Sequence, residues 1–215
     1  MKRSAARRQA ILEAALEVFA ESGYDRASMS DICARVGYAK ATLYGYFASK
    51  EVLFLDLVGA ATQRGLDAVH ETLAGPGKAS APDVDAALAR FARAWLAHGF
   101  ASDVAMLRRL LIAQTGRPGF EGGHYDLGAA RSMALLTRFL RGEMEAGRLR
   151  EADPARAALH LRALLEAEWS RRYLFETPPA LTPEQIERTI ASGLPIFMAA
   201  YGLRAAPPAA RLEPE

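Results

Sequence analysis

The run Lys40-Ala41-Thr42-Leu43-Tyr44-Gly45-Tyr46-Phe47-Ala48-Ser49-Lys50-Glu51 concentrates groups that suit a polyanion. Tyrosine and threonine hydroxyls can donate to phosphate oxygens, and a lysine ammonium pairs with the same oxygens as a point charge. At helical spacing Leu43 and Phe47 stand one turn apart on one face. Lys40, Thr42, Tyr44 and Tyr46 fall off that face, so two phenols, a hydroxyl and an ammonium are offered outward within two turns. Lys50 follows in the first turn of the next helix, where a cation opposes the helix dipole and the free backbone amides favour an anion. Both facts predict a phosphate docked there. The competing expectation is that the tyrosines edge a core and the lysines are simply solvated.

These groups need a scaffold, and the preceding residues supply one. Ile11, Leu12, Ala15, Leu16 and Phe19 line one face of a first helix, and Gly23 follows as its C-cap. Ser28 then precedes Met29, Ile32, Cys33 and Val36 at i, i+3, i+4, i+7 spacing, with Asp31 placed for a capping box and Gly37 closing the helix. A third short helix covers about Lys40 to Phe47. Ser49 caps a fourth, with Glu51 in its first turn, running to roughly His70. Two short helices joined by a tight turn on a longer amphipathic helix form the layout of a helix-turn-helix, whose second short helix enters the major groove.

The rest of the chain is consistent with that reading. In 215 residues, 51% hydrophobic and 24% charged, strand signals are nearly absent, while Ala, Leu, Arg and Glu recur at helical spacing, so the fold class is all-α. A chain of 23.3 kDa can bury about 70% of its surface without covalent help. Breaks at 74–82, 98–102, 115–123, 147–153 and 177–182 leave nine expected helices. Residues 1–48 read as a helix-turn-helix DNA-binding domain, 49–204 as a ligand-binding and dimerisation domain, and 205–215 as a disordered tail. Net charge is +2, but residues 1–50 hold eight Lys/Arg against five acids, with no acid before Glu13, so the amino end reads as a short basic arm.

The lone Cys33 suits a reducing compartment, and the start of the chain lacks the apolar stretch of a signal peptide; a cytoplasmic location is expected. The longest nearly apolar run, Gly193 to Leu203, is well short of the roughly 20 residues that cross a bilayer, so no membrane partner is expected. The four histidines are scattered, and there is no His-Glu-x-x-His, Gly-x-Ser-x-Gly or paired-cysteine motif. No enzyme activity, metal or cofactor is expected.

The stretch Ser28-Met29-Ser30-Asp31-Ile32 … Gly37 … Lys40 to Phe54 resembles the DNA-binding domain of TetR-family transcriptional regulators. The resemblance spans about residues 8–55. It implies a homodimeric, usually repressing regulator with N-terminal domains on a palindromic operator and C-terminal domains holding a small-molecule effector. Residue by residue it assigns Thr42, Tyr44 and Lys50 to the DNA backbone, Tyr46 to a phosphate-contacting position, and Lys40 to base or phosphate reading. It also puts Ser28 at the second-helix cap and Ser30 where DNA can be touched. Ala39 departs from the usual capping residue, and Gly45 from what is often a large contacting side chain. These departures motivate an alternative, a helical interaction protein or scaffold that has lost operator binding.

Residues from about Met106 to Leu203 resemble the AefR-like C-terminal subtype of the family. Ile186, Ile190, Leu194, Phe197 and Tyr201 form a seam along the last helix, and Leu161 and Leu165 mark the helix expected over Pro154 to Phe175. The resemblance implies a four-helix dimer interface from these two helices, although an intrachain core explains the same stripe. Pro195 predicts a kink or break. For the effector, the candidates are Trp95, His98, Phe100, Met106, Tyr125, Met133, Glu166 and Trp169, each of which also reads as ordinary packing. If Glu166 or Glu168 is buried it needs a partner such as Arg162, Arg109 or a cationic ligand.

Overall fold

A computed structural model describes residues 2–73, 83–120, 126–176 and 178–203; the expected loop at 74–82, Tyr125 and the tail 205–215 lie outside them. Among the described residues the regular elements are helices: α1 (Lys2–Arg26), α2 (Met29–Val36), α3 (Lys40–Tyr46), α4 (Lys50–Leu73), α5 (Val84–Gly99), α6 (Ser102–Ile112), α7 (Asp126–Glu145), α8 (Pro154–Glu166), α9 (Ser170–Phe175) and α10 (Pro183–Tyr201). One isolated bridge pairs Leu149 with Gly202.

Three boundaries differ from expectation. The basic amino end is not a separate arm but the first turns of α1, which is interrupted only at Gly23, where φ 75 and ψ 168 break the helical path. The segment expected as one helix over 154–175 is divided, giving ten helices among the described residues instead of nine. There the Trp169 amide donates to the Glu166 carbonyl three residues back at 3.0 Å, and the Trp169 indole is anchored on Thr189 Oγ1 of α10 at 2.9 Å. α10 runs past Pro195 without a break; the proline sits on an exposed face, where the Ala191 carbonyl that loses its partner can turn to water.

Buried residues fall into two clusters. The first joins α1, α2, α3 and the first half of α4, and takes in Leu107 and Leu111 of α6. Its centre is aromatic: Phe54 stands edge-on to Phe19 at 5.3 Å and to Tyr24 at 5.0 Å, and Phe120 reaches Tyr24 at 5.3 Å. Such pairs add about 0.5–1.5 kcal/mol each beyond area burial. The second cluster draws on α5 and on α7 to α10, together with Val69 from the far end of α4. α4 therefore runs through both cores and packs on α5 and α7.

The seven side chains expected at a dimer interface all belong to this second, intrachain core. Leu161, Leu165, Ile186, Ile190, Leu194, Phe197 and Tyr201 are buried within the single chain. The stripe is explained by α8 and α10 packing on each other. At Gly193 a Cβ would sit 3.5 Å from the Leu164 carbonyl oxygen, so the two backbones approach closely. The outward faces carry other apolar residues, with Leu159 55% and Ile196 56% exposed.

Candidate nucleic-acid interface and cavity

α2 opens on the expected capping box. The Asp31 amide donates to Ser28 Oγ at 3.2 Å, and the Asp31 carboxylate accepts the Ser28 amide at 2.9 Å and its hydroxyl at 2.6 Å. The Ser28 hydroxyl and amide hold the Asp31 carboxyl below its ordinary range. Ser28 is thus committed to the helix start, whereas Ser30 is exposed. Gly37 closes α2 at φ 74, ψ 22, donating its amide to Cys33 O at 2.9 Å. Side chains rarely adopt that left-handed conformation, and it sets the turn into α3.

α3 begins at Ala39 without a side-chain cap, as its type predicts. Its hold on the protein is hydrophobic: Leu43 and Phe47 are buried in the first core. The opposite face presents Lys40, exposed, Tyr44, 51% exposed, and the half-buried Thr42 and Tyr46. The Tyr46 hydroxyl donates to Ser4 Oγ of α1 at 3.4 Å. Gly45 is exposed, and a Cβ there would meet open space.

Lys50 departs from the expectation of an outward phosphate contact. Its ammonium turns inward, donating to the carbonyls of Tyr24 at 2.8 Å and Ala27 at 3.0 Å, and lies 4.3 Å from the Tyr24 ring centroid. The physical reason is the end of α1, where Gly23 breaks the helix and leaves carbonyls for a cation to satisfy. The Tyr24 hydroxyl in turn donates to Glu51 Oε1 at 3.2 Å; burial and that carboxylate push the phenol well above its ordinary value. Beyond it, Arg117 pairs with Asp25 at 2.5 Å, holding the segment after α6 on the end of α1.

The second site is a cavity of about 260 Å³ between α4, α5, α6, α7, α8 and α9, close to the roughly 300–1,000 Å³ typical of ligand pockets. Of the expected residues, Trp95, His98 and Glu166 line it. The other described candidates are spent elsewhere. Phe100 packs edge-on to Tyr173 at 4.9 Å, Met106 joins the first core, Met133 packs against the second, and Trp169 is bound to Thr189. Tyr125 lies outside the described residues. Glu166 has the partner its partial burial requires: Oε1 accepts Arg162 Nε at 3.1 Å and Trp95 Nε1 at 3.0 Å.

Sequence reasoning missed Gly65 and Arg108. A Cβ at Gly65 would fall 2.1 Å from His98 Cδ2, so this glycine lets the imidazole lie directly on the α4 backbone. Burial, followed by the nearby Arg64 and Arg108 charges, lowers the His98 pKa. Arg108 donates to the Gly99 carbonyl at 2.8 Å, and its guanidinium lies 5.8 Å from the Phe100 ring centroid. A glycine inside a long helix and one of the two adjacent arginines of α6 were the available signals.

Comparisons with known proteins agree with this geometry. Residues 11–57 match the family described as bacterial regulatory proteins, tetR family, and residues 86–203 match the AefR-like transcriptional repressor, C-terminal domain. The HTH-type transcriptional repressor Rv1474c of Mycobacterium tuberculosis is 32% identical over 154 residues, which is 70% of this chain and 73% of that protein. Other curated HTH-type regulators match at 37–38% identity, but the chain spans only 34–38% of their length. Among solved structures, a TetR-family regulator from Mesorhizobium loti superposes with a TM-score of 0.82 at 28% identity, covering 94% of this chain and 99% of that one. The flavonoid-responsive regulator FrrA gives a TM-score of 0.70 at 29% identity, covering 94% and 100%. A matched C-terminal family domain behind a matched helix-turn-helix makes this chain a member of the TetR family of bacterial transcriptional regulators, and not an enzyme.

Proposed function

We propose that the chain is a homodimeric repressor that grips a palindromic operator through α3 and is released when a small molecule enters the cavity. The observation that carries this reading is the division of α3: Leu43 and Phe47 anchor it while Lys40, Thr42, Tyr44 and Tyr46 remain available on the other side. Ser30 adds a hydroxyl from α2, and Ser28 contributes by fixing the start of that helix. Lys50 acts by holding the ends of α1 and α4 together, and reaches a phosphate only if DNA draws it away from its carbonyls.

Dimerisation is assigned to the outward faces of α8 and α10, where Leu159 and Ile196 stand exposed, instead of to the inward seam. Two recognition helices in successive major grooves must lie about 34–36 Å apart or at a multiple of that spacing. α4 joins the helix-turn-helix core to the cavity wall, so an occupant that favours one α4 position over another shifts that spacing and the operator affinity with it. The flavonoid-responsive regulator FrrA, similar over the whole fold, supports a small-molecule effector here.

The test is fluorescence anisotropy on DNA from upstream of the protein's own gene, at several salt concentrations. The expected result is binding that weakens steeply with salt, with Lys40→Ala changing base preference. Absence of any salt-sensitive binding would overturn the repressor reading and favour an interaction protein, consistent with the uncapped Ala39 and bare Gly45.

A further inference from the structure

We infer that the cavity is built for an uncharged apolar molecule bearing a hydroxyl, which exchanges hydrogen bonds with Ser132 and His98 while its carbon skeleton lies along Val58, Ala61, Leu107 and Leu111. This rests on the proposed role of the cavity as the effector site and adds the chemical class of its occupant.

The polar groups of the wall divide by whether the protein already satisfies them. The charged ones are engaged: Glu166 Oε1 accepts from Arg162 and Trp95, and Arg108 is bound to the Gly99 carbonyl and packed on Phe100. Trp95 thereby spends its N–H, and its ring is flanked by Phe91 at 5.8 Å and the Arg162 guanidinium at 5.7 Å. Ser132 of α7 is different. It is only 4% exposed, it lines the cavity, and no hydrogen bond to another described residue engages its hydroxyl. A hydroxyl withdrawn from bulk water is costly to leave unpaired, so its partner must come from the cavity.

His98 stands in the same wall from α5. Burial and the adjacent arginine charges favour its neutral form, which carries one donor and one acceptor nitrogen. The Ala61 carbonyl favours the ring proton, so the donor is served by the protein and the acceptor is left to a ligand. Gly65 lets the imidazole lie against the α4 backbone, which sets its position before a ligand arrives. A ligand hydroxyl answers both groups: its proton goes to the acceptor nitrogen, and its oxygen accepts from Ser132. A hydrocarbon would seal both groups from water without partners. A carboxylate has no proton to give the acceptor nitrogen, and an ammonium would find the one carboxylate among the described lining residues already paired.

Three probes share a body and differ in head group: 4-propylphenol, 4-propyltoluene and 4-propylbenzoate, titrated calorimetrically into the full chain at pH 7.5. The phenol is expected to bind about tenfold or more tighter than the toluene, with the benzoate no tighter than the toluene. Ser132→Ala and His98→Phe should each cut the phenol preference by about threefold or more, in variants whose melting temperatures show them folded. Val104→Trp, which fills the cavity, should abolish binding of all three while the chain stays folded by the same measure. Equal binding of phenol and toluene, tighter binding of the benzoate, or a phenol preference unchanged in either variant overturns the hydroxyl assignment and leaves the cavity as a site. No binding by any probe, or binding unaffected by Val104→Trp, overturns the cavity reading itself.

Discussion

The two cores of this protein meet along α4 but are held together over different sequence distances. In the N-terminal core the defining contacts are shorter in sequence: Ser28 with Asp31 across 3 positions, Lys50 with Ala27 and Tyr24 across 23 and 26, and Tyr24 with Glu51 across 27. In the C-terminal core they are long: Trp95 with Glu166 across 71 positions and Arg93 with Glu187 across 94. Local contacts follow from helix periodicity and caps. Distant ones depend on which faces meet, which no single helix specifies.

The separation is incomplete, because Leu107 and Leu111 of α6 sit in the N-terminal core and α4 is continuous. Leu43→Ala, at a fully buried site, should cost about 2–5 kcal/mol and abolish operator binding. Chemical denaturation should still show a single displaced transition; two separated transitions would show that the cores fold independently. Lys50→Met and Lys40→Met divide the same region by face. Losing the charge-assisted bonds of Lys50 should lower stability by about 1.5–3 kcal/mol. Lys40→Met, at an exposed position, should stay within about 0.5 kcal/mol of wild type. It should instead change the base preference of DNA binding.

Smaller effects contrast two glycines. Gly65→Ala drives a methyl into the His98 ring and should destabilise by about 1–3 kcal/mol, lowering the melting temperature. Gly45→Ala meets open space on α3 and should stabilise by about 0.5–1 kcal/mol by the same measurement. The smallest effect concerns pH. His98 has a folded-state pKa below its ordinary 6.5, so the unfolded chain takes up a proton first. Its contribution to stability is full above that value and is lost as pH falls below it. The melting temperature should therefore drop between pH 7.5 and 5 more steeply in wild type than in His98→Asn; equal slopes would remove His98 as the cause.

Much of the local geometry of α2 and α3 was legible in the sequence. Leu43 and Phe47 one turn apart, Ser28 three residues before Asp31, and Gly37 at the turn each specify a local conformation that needs no distant partner. Lys50 was misread because its partners are carbonyls freed at the end of α1, after the break at Gly23, more than twenty residues earlier. In the cavity, Trp95, His98 and Glu166 were identifiable as aromatic and polar groups on middle helices, whereas Arg162, one turn away, was one of several partners open to Glu166. Phe100, Met106, Met133 and Trp169 have the same chemical character but face other neighbours.

By itself the sequence determined the helices, their caps and the two-sided character of α3, because periodicity and capping act within a few residues. Tertiary structure decided where Lys50 points, which side of α8 and α10 is buried, and that Gly65 and Arg108 belong to one cavity. Those outcomes depend on how separate amphipathic faces pair, and an apolar stripe records that it will be buried without recording against what.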